Sequence, residues 1–478
     1  MSIVLMTAGG VLLVVSFIVV LRALLLKETE AKTVKIELDT SERAKTYGQQ
    51  LAKMLQVETV SCRFDSDRRK FYKFHELLET LFPNVHRVCE KHVFDGSLLM
   101  KWTGKKKTDS ILLMSHHDVV EATGQWEHEP FRGDVDNEGR VWGRGAVDTK
   151  ASLFCIFSAV EELIRDGYQP ECDVYIASSC TEEWSGDGAP KIVQYLKEQG
   201  IHLSLVLDEG GMILENPLPG VEGTYGLVGV VEKGYGDVKF TARGNGGHAS
   251  APDKNTPLVR LGKFMTSIDK KNPFTAQMTP TVRELFRRMA PNMNFGMKLL
   301  FTNLWLFKTI LVKLLPIVSP QAGAMIRTTI AFTMAKGSDG FNVLPQEAHV
   351  CANMRFIHHQ GVEESVDLVR KLAKKFDVET EVIYQDEPCP IVDFNSKEFH
   401  LIEEIASEVY PGIGICPYVM TGGTDAKYYK DISDSCIRFA PLFITKQQLS
   451  SVHAIDENIY QGALPKGVDF YKCVIMKR

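Results

Sequence analysis

The sequence has no C-x-x-C pair among its ten cysteines, no N-x-S/T sequon and no long run of one charge sign. The first absence excludes zinc ribbons and thioredoxin-type redox motifs. The third, with a net charge of -5, excludes the clustered basic footprint of a nucleic-acid binder, so no nucleic-acid partner is expected. The missing sequon says little about compartment. With 478 residues, 44% of them hydrophobic, the chain can bury a large core without disulfide staples, and its cysteines are expected as buried free thiols. That length exceeds one ordinary domain.

One long charge-free stretch is present. SIVLMTAGGVLLVVSFIVVL (2–21) is long enough to cross the hydrocarbon core as a helix. It lacks the basic start, shorter apolar run and small-x-small exit of a signal peptide. Residues 1–26 are therefore expected as an uncleaved single-pass membrane anchor; cleavage would instead make the protein secreted. Arg22, Lys27, Lys32 and Lys35 follow the span, which favours a cytosolic main domain, though the pattern leaves the side open.

After residue 36, apolar strands alternate with amphipathic helices. SILLMSH, CDVYIASSC and LSLVLDEG read as strands; DTKASLFCIFSAVEELIRDG and GAPKIVQYLKEQG read as helices ended by Gly167 and Gly200. This predicts an α/β fold with a mixed sheet covered on both faces. Near residue 236 the pattern turns to one-sided α+β sheet, as in QEAHVCANMRF (346–356). The expected organisation is a catalytic domain in two parts, 36–235 and 359–478, around an inserted lid domain at 236–358. The lid carries an apolar helix, GMKLLFTNLWLFKTILVKLLPIV (296–318), whose Lys298, Lys308 and Lys313 fall within an arc of about 140°. A core helix with snorkelling lysines and a membrane-surface helix both fit that pattern. A second transmembrane span does not, because three lysines are costly there.

The polar residues collect at element ends. His116 and Asp118 follow the first of these strands, Asp148 opens a helix in GRGAVDTK, Glu182 and Glu183 follow the second strand, and Asp208 follows the third. A parallel sheet brings such tips to one edge. Two zinc ions carry four positive charges, which Asp148, Glu183, Asp208 and a hydroxide would neutralise, with His116 and a second histidine as neutral ligands. Asp118, two residues from His116, lies on the same face and can hold its other ring N–H. Glu182 is then free as a general base on the attacking water. His117 points to the other face and reads as structural.

These motifs resemble the di-zinc metallopeptidase family of aminoacylase and carboxypeptidase S. The matching positions are His116–Asp118, Gly143–Lys150, Glu182–Glu183, Asp208–Gly210 and His453, from about residue 40 to the end. The resemblance implies that Asp148 bridges the metals, His116 and Asp208 complete one site, Glu183 and His453 the other, and Glu182 is the base. His453 is selected only by the resemblance. It further implies that His248 in GGHASAP stabilises the oxyanion, and that Asn342 in FNVLP, Arg355 in NMRF and the Gly422–Gly423 loop of TGGTDAKYY hold the substrate's carboxylate end. Lys427 stands where many members have arginine and receives no role. FNVLP, IRTT (326–329) and the apolar insert are most similar to the branch of N-fatty-acyl-amino-acid synthase/hydrolases and yeast-type carboxypeptidase S. The activity implied is hydrolysis, with condensation as its reverse, of the amide joining a fatty acyl group to an amino acid with a free carboxylate. Peptide carboxypeptidase or dipeptidase activity at the same site, and a catalytically silent membrane scaffold, are the alternatives. The expected cofactors are two Zn2+. The expected partners are a small acyl amino acid or peptide, membrane lipid, and a second copy bound through the lid.

Overall fold

The computed structural model describes residues 2–478, with side chains from Gly10 onward. The larger domain is built on a mixed sheet. Across it, in order, lie Glu90–Phe94, Ser97–Trp102, Cys172–Ser178, Lys106–Met114, Leu205–Asp208, Cys436–Arg438, Thr224–Glu232 and Gly414–Met420. Cys172–Ser178, Lys106–Met114, Leu205–Asp208 and Cys436–Arg438 run parallel to one another. The strand pleat sorts side chains between two cores. Ile111 and Leu113 enter the core that holds helices Lys150–Arg165 and Leu464–Met476, whereas Leu112 and Met114 enter the one that holds Gly188–Glu198. Burial on both faces explains why these strands read as continuous apolar runs. The α/β class expected from the alternation is therefore observed.

The lid is a separate four-stranded antiparallel sheet in the order Thr329–Lys336, Glu347–Phe356, Gly234–Arg243, Glu379–Asp386. Helices Pro257–Lys270 and Val362–Lys374 cover one face with their own core, around Phe240, Phe264 and Val369. This corrects the expected 358/359 boundary. The lid runs on to Asp386, because Glu379–Asp386 pairs with Gly234–Arg243 along its length.

The helical insert also departs from expectation. It is not one helix: Phe295–Thr302 and Leu304–Val318 meet at 115°. Asn303 stands at the bend, fully buried, its side-chain amide donating to the carbonyls of Leu299 at 2.9 Å and of Val19 at 3.0 Å. Nor does the insert join the lid core. Its Phe301, Leu311 and Leu315 pack into the core of the larger domain, beside Leu285, Phe286 and Met289 of the preceding helix Pro280–Met289. We call this bent pair the elbow. The N-terminal helix Ser2–Leu25 rests against it, with Val19 and Ala23 buried. Among the described residues no single helix is long and apolar enough to cross a membrane; Gly10–Leu25 is a shorter apolar helix, and part of the expected anchor lies outside the residues whose side chains are described. Lys233, at the start of the lid, is buried and donates to the carbonyls of Ala324 at 3.0 Å and Arg327 at 2.9 Å. It thereby ties the end of the elbow to the domain junction.

Candidate active site

The strand Lys106–Met114 ends in a buried turn that fixes His116. Its Nδ1 lies 2.9 Å from the Asp118 carbonyl oxygen and 3.4 Å from Asp118 Oδ1. That leaves Nε2 facing the cleft, 3.0 Å from Asp148 Oδ1, 3.2 Å from Glu209 Oε1 and 3.9 Å from Glu182 Oε2. The Asp118 carboxylate accepts from Ser61 Oγ at 2.5 Å and from the amides of Glu182 and Glu183, each at 3.2 Å. It therefore locks the His116 turn to the Glu182–Glu183 turn. His117 is turned away, its ring stacked on Phe74 at 5.3 Å and its Nδ1 2.8 Å from Ser178 Oγ. Burial depresses its pKa well below the usual histidine range.

Asp148 sits in a loop held from beneath by Glu457, a residue the sequence reading missed. The fully buried Glu457 carboxylate accepts from the amides of Gly145, Val147 and Asp148 at 3.1, 2.8 and 3.0 Å, and from Arg144 Nη1 at 2.8 Å. His453, at a positive φ of 59°, brings Nε2 to 3.1 Å from both Asp148 Oδ2 and Glu183 Oε2. Asp148 is thus shared between two imidazoles, His116 on one oxygen and His453 on the other.

Asp208 is not brought into this cluster. Its two oxygens accept backbone N–H groups, of Glu209 at 2.8 Å and of Ala426 at 2.8 Å. Glu209, the next residue, reaches His116 instead and lines the cleft. The motif DEGG contains both acids, but the buried amide that claims Asp208 comes from a loop 218 residues later, invisible in the motif itself.

Among the described residues, His116, Asp148 and Glu183 can converge on one cation, as can His116, Glu182 and Glu209. The electrostatics call for such charge. Burial pushes Glu182 well above the usual carboxylate range and Glu183 and Glu209 up to about 7, while hydrogen bonds to Asp148 and Glu183 raise His453 to about 10. Burial opposes ionisation of Asp148 too, but hydrogen bonds from His116 and His453 hold its pKa below the usual range. Buried carboxylates crowded on one another are costly unless a cation compensates them, and imidazole nitrogens with carboxylate oxygens are a donor set that suits zinc.

A cleft of about 630 Å³ opens over this cluster between the two domains. Arg355 lines it with its guanidinium 4.6 Å above the Tyr235 ring, and Gly422 and Gly423 line it as well. A Cβ on Gly423 would stand 3.6 Å from Arg355 Nη1, so that loop and the arginine are neighbours. Lys427 is neutralised by Asp386 at 3.1 Å. A second group of lining residues is apolar: Met212, Met420, Leu442, Ile444, Leu449 and Val452. His248 and Asn342 do not line the cleft. His248 lies on an exposed two-stranded ribbon of the lid, where it pairs with Val343 and bonds Ser250 Oγ at 2.7 Å, and Asn342 stands exposed in the turn just before Val343.

The model of peptidase family M20/M25/M40 matches residues 112–477. "Probable carboxypeptidase S-like 2" of Dictyostelium discoideum is 32% identical over 438 residues, 88% of this chain and 83% of that protein. The "N-fatty-acyl-amino acid synthase/hydrolase PM20D1" of Xenopus tropicalis is 30% identical over 443 residues, 91% and 86% of the two chains. Among solved structures, an M20 family metallo-carboxypeptidase from Sulfolobus solfataricus superposes with a TM-score of 0.66 at 16% identity, covering 91% of this chain and 99% of that one. Members of the family usually bind two metal ions. The chain belongs to peptidase family M20/M25/M40, and with its His/Asp/Glu cluster it is a metal-dependent hydrolase of that family.

Proposed function

We propose that this hydrolase cleaves N-acyl amino acids with a free carboxylate, long-chain acyl forms foremost, using two zinc ions. The observation that carries the reading is the lining of the cleft. A guanidinium beside a glycine loop suits a carboxylate, and an apolar group of six side chains suits an acyl chain, with the carboxylate–imidazole cluster in the same cavity. His116, Asp148 and Glu209 would hold one ion, and Asp148, Glu183 and His453 the other. When bound, zinc would polarise the amide carbonyl and acidify water. Glu182, which coordinates nothing essential in that scheme, takes the proton of the attacking water and returns it to the leaving amine. Asp118 keeps the His116 ring in register, and Arg355 with Gly422–Gly423 orients the carboxylate. His248 and Asn342 act on the oxyanion and substrate only after the lid closes, or from the lid of a second copy. The exposed apolar faces of the elbow and N-terminal helix favour a seat on membrane lipid.

Carboxypeptidase S-like relatives keep a peptidase reading alive at the same site. Release of phenylalanine from N-oleoyl-phenylalanine and from a dipeptide ending in phenylalanine, each with and without chelator, decides between them. We expect chelator-sensitive cleavage of the oleoyl amide at the higher kcat/KM; cleavage of the dipeptide alone overturns the acyl reading.

A further inference from the structure

A second cavity, of about 170 Å³, adjoins the cleft and belongs to none of the catalytic chemistry described above. Gly210, Met212 and Leu449 line both, so only these residues need move for the two to join. Its walls are almost wholly apolar, with Leu214 and Leu218 on one side of the chain's path, Leu285 and Met289 from the helix Pro280–Met289, and Met325 just beyond the elbow. An open apolar pocket of this size gains by exchanging its water for an apolar guest. A dry apolar cavity of about 150 Å³ takes a benzene-sized guest, so this one takes about six carbons.

Two features mark the cavity as a passage. At its inner end Gly210 has a φ of +111°, and a Cβ there would lie 2.5 Å from Met420 Sδ; Met420 and Met212 therefore flank the junction with the cleft. Methionine is unbranched and polarisable, and adapts to a flexible chain better than a branched residue does. At its outer end stand Gln321 and Met325, the latter in the segment that Lys233 pins through the carbonyls of Ala324 and Arg327. That segment is joined through the short helix Pro320–Ala324 to the helix Leu304–Val318, whose Ile310, Ile317 and Val318 are 52%, 78% and 70% exposed.

We infer that this cavity is the acyl-chain channel of the enzyme, receiving the distal carbons of an unbranched fatty acyl group whose amide lies over the metal cluster. The inference rests on the N-acyl amino acid reading and adds to it residues that set chain length, Leu218 and Met325 of the cavity wall among them.

The test is kcat/KM across N-acyl-phenylalanines with saturated chains from two to eighteen carbons. Each methylene buried in the channel is worth up to about fourfold, so the wild-type profile should climb with chain length and then level off. Leu218→Trp, which fills the cavity, should move the plateau to shorter chains and lower the ratio of stearoyl to octanoyl turnover at least tenfold. Leu218→Ala, which enlarges the void without risk of overpacking, should extend the climb to longer chains. A wild-type profile flat in chain length, or a ratio that neither variant moves, overturns the channel while leaving the amidohydrolase reading intact. If N-acyl-phenylalanines of every length are inert and only dipeptides are cleaved, the functional reading falls and the channel with it.

Discussion

The catalytic sheet and the lid sheet bury their strands differently. Every residue of Cys172–Ser178 is buried, whereas Glu347–Phe356 alternates between buried and half-exposed positions along its whole length. A sheet covered on both faces has rigid strand tips, and its polar residues emerge only at an edge, already aimed at one another. His116, Glu182, Glu183 and Glu209 are of this kind. A one-sided sheet leaves its loops in solvent, and the lid accordingly displays His248 and Asn342 away from the cleft. The carboxylate–imidazole cluster is thus built wholly by the larger domain, whereas of the lid residues Arg355 reaches the cleft and His248 and Asn342 stand outside it.

Experiments that break this division begin with the larger domain. Glu182→Gln should lower kcat by about 10²–10⁴-fold, the usual reach of general acid–base catalysis, with zinc content by elemental analysis unchanged. Retained turnover would remove Glu182 as the base. On the lid side, His248→Ala should cost about 10²-fold or more in kcat with little effect on thermal stability, because its side chain is exposed and packs against nothing in the core. Mixing His248→Ala with Glu182→Gln chains sharpens the comparison. Recovered activity assigns the histidine to a second copy, and none assigns it to closure within one chain. The smallest effect concerns His75, buried beside His117 with ring centroids 5.4 Å apart. Burial depresses its pKa from 6.5 to about 4. The unfolded chain therefore binds more protons between those values, so stability is intact above pH 6.5 and falls as pH drops towards 4, by up to about 3 kcal/mol. His75→Phe should flatten the loss of melting temperature between pH 7 and 5; an unchanged slope would show that other groups govern it.

How much of this was legible in the sequence depends on whether the deciding contact is local. The tips at His116, Asp148 and Glu182–Glu183 were, since a parallel sheet gathers such positions without further information. DEGG points to Asp208 rather than Glu209, because nothing in it shows that the amides of Glu209 and Ala426 occupy both oxygens of the aspartate. Glu457 carries no signal in the sequence, although the amides of Gly145, Val147 and Asp148 all depend on it. His453 needed a family resemblance, being one of several histidines. The elbow was legible as apolar but not as bent, because the residue that turns it, Asn303, is satisfied by a carbonyl near the other end of the chain. The lid's end was misplaced for the same reason: Glu379–Asp386 reads as a strand of either domain until its partner is known.

That last bond of the elbow has a consequence for biosynthesis. Asn303 and the Val19 carbonyl it binds are separated by 284 residues. At about 5–20 residues per second, the ribosome needs roughly 15 to 60 s between making one and making the other. Throughout that interval the apolar N-terminal helix has been made and its seat on the elbow has not, so the two cannot pair until most of the larger domain's first part has been synthesised.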